Sequence, residues 1–350
     1  MRVLMDELID FKKSLPGDLS KQVSEVRFVV YAVHPGMRVP LVLDLLLTRR
    51  PAEVSNFATA DEIVSVIHGG GSEPDLLVVE GNGDNAGVAE MTRKFGCRVY
   101  SLGFDVKNID AVAETLRARG ASFIQDAPFE RDGMRHLSTT QSHNTGDTFI
   151  YVERKKKTDN YLFFPNAIEI PIDIEIAEAM KKKARLKTYA SFEALDHILY
   201  RIRHAHLLEA ARELIAFTPY TLQESLDADE NDTRLLRFRK GKSAFSIAML
   251  AGRSEHSAAE EYVRAHGPRV QHFAYTVADL KKAVLSLRKR GISFDSDTIL
   301  GGAEEGMAQI YTTPSPCAGD VTEYLERYDG GNALYPAGAA RGVYQDLSVA

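Results

Sequence analysis

Cysteine is nearly missing from this 350-residue chain: Cys97 and Cys317 are the only two, and they form no close-spaced pair. Neither a disulfide framework nor a cysteine zinc cluster can be built from them. A basic excess is missing too. The formal net charge is -6 with acidic and basic residues interleaved, so the chain offers no cationic field for nucleic acid. The Lys-Lys-Lys runs at 155–157 and 181–183 are short and read as solvated faces. There is no long apolar run. The longest, Val39 to Leu47, is broken by Asp44 and falls far short of the roughly 20 residues that a membrane span needs. Residues 1–15 open with Arg2, Asp6 and Glu7 and lack the apolar stretch and cleavage site of an export signal. A reduced, cytoplasmic setting is therefore expected, with neither nucleic acid nor membrane as partner.

What the chain does have is an internal repeat. Val26-Arg27-Phe28-Val29-Val30-Tyr31 lies opposite Leu195-Asp196-His197-Ile198-Leu199-Tyr200. Gly96-Cys97-Arg98-Val99-Tyr100-Ser101 lies opposite Gly267-Pro268-Arg269-Val270-Gln271-His272, and each then runs to an Arg-Gly-x-Ser-Phe segment ending at Phe123 or Phe294. Gly146-Asp147-Thr148-Phe149-Ile150-Tyr151 lies opposite Gly319-Asp320-Val321-Thr322-Glu323-Tyr324. The offsets are 169, 171 and 173 residues, a drift of two at each step.

The repeat sets the organisation: an N-terminal segment 1–24, a first domain 25–156, a connection 157–190, a second domain 191–330 and a tail 331–350. In each copy a strand of period two leads to a helix-like stretch and returns through strands to a second unit of the same kind. The second copy reads as strand 194–202, a helix from about 206 to 217, a hairpin around Arg239-Lys240-Gly241-Lys242, strand 269–277, a helix from about 278 to 290, and strands near 292, 307–313 and 321–327.

Duplication explains what the halves share, but not why His197, His272 and Glu323 stand where the first half has Phe28, Ser101 and Ile150. Two histidines and one carboxylate are a transition-metal ligand set that leaves positions open for substrate and oxygen, as in non-haem Fe(II) oxygenases; the same set also binds zinc. Strict alternation puts His272 on a face with Val270, Ala274 and Thr276, and Glu323 with Val321 and Leu325, so both polar groups point among apolar or small neighbours. His204, His206, His256 and His266 lie in turns and polar stretches and read as surface residues.

Leu195-Asp196-His197, Val270-Gln271-His272-Phe273-Ala274, Gln309-Ile310-Tyr311-Thr312-Thr313-Pro314 and Thr322-Glu323-Tyr324-Leu325-Glu326-Arg327 together resemble the 4-hydroxyphenylpyruvate dioxygenase and hydroxymandelate synthase family of the vicinal-oxygen-chelate superfamily. The resemblance implies an α+β fold of two tandem domains, each a half-barrel of paired βαβββ modules, with a metal-free first domain. It implies Fe(II) held by His197, His272 and Glu323. It also implies a small-molecule 2-oxo acid and O2 as reactants, oxidative decarboxylation coupled to hydroxylation, and a homodimer. By the same resemblance Gln309 and Tyr311 are the catalytic and substrate-binding glutamine and aromatic wall, although a core aromatic is an equal reading for Tyr311.

The departures from the family fall on the aryl pocket. Only 14 residues separate Phe294 from Gln309 where the family has a long insert. Val321 replaces a phenylalanine, and Gly331-Asn332 leads into Ala333-Leu334-Tyr335-Pro336 rather than a closing helix. In place of polar Ser and Asn the hairpin offers Arg237 and Arg239. These two, or Arg253, could grip a substrate carboxylate, or the hairpin is simply solvated. Two other activities use the same scaffold: an extradiol catechol dioxygenase, which needs a further acid/base histidine, and a metal-dependent isomerase, lyase or ligand-binding protein.

Overall fold

The computed structural model describes residues 2–49, 53–70, 73–82, 87–131, 133–154, 167–184 and 192–328. The lysine run 155–157, the connection outside 167–184 and the tail with Gly331-Asn332 lie outside them. Helix α1 (Arg2–Ser14) precedes the first copy. Its first module is β1 (Val23–Val33), α2 (Arg38–Thr48), β2 (Val54–Ala58), β3 (Glu62–Ile67) and β4 (Asp75–Gly81). After α3 (Gly87–Phe95) the second module is β5 (Arg98–Val106), α4 (Ile109–Ala118), β6 (Phe129–Arg131), β7 (Met134–Ser138) and β8 (Thr148–Arg154). Within the connection, β9 (Ile168–Ile170) pairs with β2, and α5 (Ile174–Ala184) packs on α2.

The second copy repeats the plan. Its first module is β10 (Phe192–Ile202), α6 (Leu207–Phe217), β11 (Thr221–Ala228), β12 (Thr233–Arg239) and β13 (Ser246–Gly252). Helix α7 (Ala258–His266) leads to β14 (Arg269–Val277), α8 (Leu280–Arg288), β15 (Leu300–Gly302), β16 (Met307–Tyr311) and β17 (Val321–Arg327). The strand orders are β6-β7-β8-β5-β1-β4-β3-β2-β9 and β11-β12-β13-β10-β14-β17-β16-β15, two curled half-barrel sheets. In each, the first strand pairs antiparallel with the strand of the second module and parallel with the last strand of its own.

The helices form for matching local reasons. Asn108 and Asp279 cap α4 and α8 by accepting from the backbone N–H three residues on. Ile109, Val112, Ala113 and Leu116 on α4, and Leu280, Ala283, Val284 and Leu287 on α8, form one buried stripe each. These stripes and the outer sheet faces of both copies join in a single apolar cluster. Strand β11 was not legible in the sequence. It is an edge strand on which Gln223 and Glu224 interrupt the alternation and Leu226 faces solvent.

Residues common to both copies join the two domains reciprocally. Tyr31 Oη donates to Asp320 (2.8 Å) and Tyr200 Oη to Asp147 (2.7 Å). Arg98 donates to the Pro268 carbonyl (2.6 Å) and Arg269 to the Cys97 carbonyl (3.3 Å). Tyr151 Oη donates to the Phe217 carbonyl, and Tyr324 Oη to the Thr48 carbonyl. The interface is thus pseudo-twofold, so it was under the same constraint in each half. On one side Arg49 adds an ion pair to Asp320 (3.2 Å) and lies 4.1 Å over the Phe273 ring.

The inner faces differ. In the first copy Phe28, Val30, Phe57, Val64, Val66, Leu77, Val79 and Ile150 fill the half-barrel. The Phe28 ring lies against Gly103, where an added Cβ would come within 2.1 Å of it. Gly103→Ala should therefore cost about 1–3 kcal/mol by overpacking; an unfolding midpoint in urea equal to that of the parent chain would show that the ring has room to move.

Candidate metal centre

Register places the three sequence-selected residues on one inner wall. His197 on β10 pairs with Ala274 on β14, which pairs with Glu323 on β17, and His272 lies one row away opposite Leu199 and Val321. The same register sets Phe28, Gly103 and Ile150 in one row of the first copy, with Ser101 in the next. The repeat alignment is thereby a structural equivalence.

The side chains converge. His197 Nε2 lies 3.1 Å from His272 Nε2, and Glu323 Oε2 lies 3.3 Å from the first and 3.2 Å from the second. All three residues are at most 3% exposed. Among the described residues neither Glu323 oxygen has an aligned hydrogen-bond donor despite that proximity. A buried carboxylate in this position is costly unless a cation balances it. Two imidazole nitrogens and a carboxylate oxygen, all within 4.8 Å of one another, are a donor set that fits one transition-metal ion.

Two β-bulges prepare the imidazoles. Asp196 is the extra residue on β10 between the Leu195–Tyr275 and His197–Ala274 pairs, and Gln271 is the extra residue on β14 between the pairs of Leu199 and Tyr200. Each bulge turns two successive side chains to the same side. Asp196 therefore reaches His197 Nδ1 (2.8 Å) and Gln271 reaches His272 Nδ1 (2.7 Å), which leaves both Nε2 atoms facing the cluster. Arg327 holds Asp196 with both terminal and inner guanidinium nitrogens at 2.8–3.0 Å. The second bulge also corrects the expected face of Val270, which packs in the outer core with Phe273 and Tyr275 rather than beside His272. In the sequence Asp196 and Gln271 stand only as part of the histidine segments that carry the resemblance, with no contact of their own assigned. Their signal was the residue preceding each histidine, Arg27 and Tyr100 in the first copy, which changes together with the ligand.

The cluster's electrostatics follow from this packing. Burial would depress the basicity of His197, but the Asp196 and Glu323 carboxylates outweigh it and lift it to about 9. Burial drives His272 down to about 4. Burial would raise Glu323 and Asp196, yet the imidazoles beside Glu323, and His197 and Arg327 beside Asp196, hold both at about 2.

The other expected residues line the same barrel. Gln309 and Tyr311 share the inner face of β16, opposite Leu325 and Glu323. Gln309 is fully buried, and its amide has no hydrogen-bond partner among the described residues. The Tyr311 ring stands 5.6 Å from the His272 ring. Arg239 and Ser246 continue the row of His197, while Arg237 and Ala248 continue that of His272. Arg237 is buried, not solvated; its Nε donates to Ser246 Oγ at 3.2 Å, and burial followed by the neighbouring Arg239 lowers it to about 10. Arg239 is half-buried. Arg253 is exposed and pairs with Asp229, away from this wall. A cavity of about 380 Å³ is lined by Tyr262, His266, Arg269, Gln271 and Val321, of which Gln271 bonds His272 and Val321 pairs with that histidine across the strands.

Residues 196–311 match the family model of the glyoxalase/bleomycin resistance protein/dioxygenase superfamily. Among solved structures the chain is similar to a triple mutant of 4-hydroxymandelate synthase from Streptomyces coelicolor, with a TM-score of 0.71, 17% identity, and coverage of 93% of this chain and 98% of that one. The fold is that of two tandem vicinal-oxygen-chelate domains. A fusion of a xylose isomerase-like TIM barrel with 4-hydroxyphenylpyruvate dioxygenase shares this vicinal-oxygen-chelate fold at a TM-score of 0.60 and 13% identity, over 89% of this chain and 50% of that one. So does an Mn(II)-bound glyoxalase from Novosphingobium aromaticivorans, at 0.52 and 13% over 87% and 82%. No helix among the described residues is long and apolar enough to cross a membrane.

Asp196→Asn should weaken divalent-metal affinity about 10–100-fold by loosening the His197 orientation. Because His197 in the metal-free protein holds its proton up to about pH 9, a metal must displace it, and affinity should rise with pH through the neutral range. Titration calorimetry with Fe(II) or Mn(II) giving a flat affinity between about pH 6 and 8 would contradict this.

Proposed function

We propose that the protein is a non-haem Fe(II), O2-dependent oxygenase acting on a 2-oxo acid of 4-hydroxyphenylpyruvate type, coupling oxidative decarboxylation to hydroxylation. One observation carries the reading: the two-histidine, one-carboxylate cluster shares an inner wall with an aromatic ring and with a buried glutamine amide that has no hydrogen-bond partner among the described residues. His197, His272 and Glu323 would hold the iron, which when bound supplies chelation of the oxo acid and activation of oxygen.

The chain's own groups position and protect. Asp196 and Gln271 accept the Nδ1 protons and fix the ring orientations. Gln309 orients the oxo acid by hydrogen bonding, and Tyr311 walls the pocket on the His272 side. Arg237 and Arg239, on the strand two removed from His197, are assigned to a substrate carboxylate, which a guanidinium grips with two parallel bonds. Leu199, Leu235, Ala248, Leu250 and Val321 form the apolar wall that excludes water from the reaction. An extradiol dioxygenase is the weaker reading, because no further histidine joins the cluster among the described residues. A metal-dependent isomerase or lyase would use the same ligands and differs in consuming no oxygen.

Anaerobic addition of Fe(II) and an arylpyruvate should produce a visible charge-transfer band, absent in His197→Ala. A parent protein giving neither that band nor oxygen uptake with any 2-oxo acid tried would refute the assignment. Gln309→Leu should keep full metal stoichiometry while kcat/KM falls by about two orders of magnitude, the scale of a misplaced substrate. An unchanged kcat/KM would remove Gln309 from the reaction.

A further inference from the structure

The pseudo-twofold relation between the domains creates two related clefts at their junction, and one of them is the richer in basic groups, although its counterpart keeps Arg269 and His266. A cleft of about 650 Å³ is lined by Lys94, Arg98 and His143 from the first domain and by Arg203 and His206 from the second, with Phe95 and Pro268 as apolar walls. No aspartate or glutamate is among its lining residues, although the chain as a whole is acidic. By the repeat register, the residues standing at the positions of Lys94, His143, Arg203 and His206 on the other side are Ala265, Pro316, His34 and Met37. Arg98 has Arg269 as its counterpart and the wall residue Phe95 stands opposite His266, whereas three of the five basic side chains, Lys94, His143 and His206, have no basic counterpart. The interface contacts that both halves retained do not require them.

The groups are arranged for a ligand rather than for one another. The His143 and His206 rings, one from each domain, lie 5.0 Å apart. His206 Nδ1 is buried with no hydrogen-bond partner among the described residues. Lys94 is exposed at the rim, with Nζ over the Phe95 ring. Among the described residues the ion pair of Arg203 is a long contact with Glu260, at 3.8 Å, while Arg98 is committed to Asp147 and the Pro268 carbonyl. Lys94 and Arg203 bring like charges to one cleft, which an anion between them would balance, and walls of low dielectric strengthen that attraction.

We propose that this cleft binds a small multivalent oxyanion, a phosphate ester or a polycarboxylate with a compact apolar body, bridging the two domains. The volume suits a metabolite-sized ligand. Arg203 directly follows β10, which carries His197, and Pro268 directly precedes β14, which carries His272. An anion there ties together the ends of the two histidine strands.

Titration calorimetry and thermal melting of the iron-loaded full chain, with inorganic phosphate and separately with propane-1,2,3-tricarboxylate, against sodium chloride of equal ionic strength, test this. At least one anion is expected to bind saturably, one per chain, and to raise the melting temperature. Phosphate and tricarboxylate arms separate the two ligand sources. Lys94→Glu and His206→Gln should each weaken binding about tenfold or more, the effect of losing roughly one charge-assisted hydrogen bond. Binding should persist in His197→Ala, which separates this site from chelation at the metal centre and makes the outcome independent of the proposed oxygenase activity. No saturable binding of either anion, or binding that both cleft substitutions leave unchanged, would overturn the proposal.

Discussion

The buried Glu323 carboxylate is the constraint around which the second half-barrel is organised. A negative charge buried in the half-barrel must be balanced where it stands, and the two imidazoles approach it at 3.3 and 3.2 Å. Those imidazoles are in turn fixed by Asp196 and Gln271, and Asp196 by Arg327. The chain of contacts runs from a surface-proximal guanidinium to the centre of the barrel. Each member either supplies charge or sets the direction of a lone pair.

Comparison of the two halves shows how such a site is obtained from a neutral scaffold. The bulges exist in both copies, holding Arg27 and Tyr100 in the first and Asp196 and Gln271 in the second. The strand-end arginine also exists in both. Arg154 pairs with Asp105 at 3.0 Å, whereas Arg327 pairs with Asp196 because Thr276 stands where Asp105 would be. The carboxylate partner has in effect moved from the neighbouring strand to the bulge, beside the histidine. In the first half the corresponding space is taken by the Phe28 ring against Gly103, which leaves no room for a ligand set.

The repeat and the three cluster residues were legible because duplication provides an internal control: what both copies share is scaffold, and what only one has demands another reason; the fold class followed from the family resemblance of the segments around those residues. Tyr31 and Tyr200, Asp147 and Asp320, and Tyr151 and Tyr324 turned out to be interface, which only their reciprocal contacts reveal. The roles of Asp196 and Gln271 were hidden because strict strand alternation sends the residue before each histidine to the opposite face, and a bulge cannot be read from periodicity. The same effect misplaced Val270. Strand β11 escaped because an edge strand with polar residues on both faces carries no period. The burial of Arg237 could not be inferred either, since hairpin arginines are ordinarily solvated.

Anomalous diffraction at the iron absorption edge, from crystals loaded anaerobically with Fe(II), tests the central claim most directly. The account requires one peak per chain, about 2.0–2.2 Å from His197 Nε2, His272 Nε2 and a Glu323 oxygen. A peak elsewhere, or an iron-free cluster in crystals that bind iron at other residues, would contradict it.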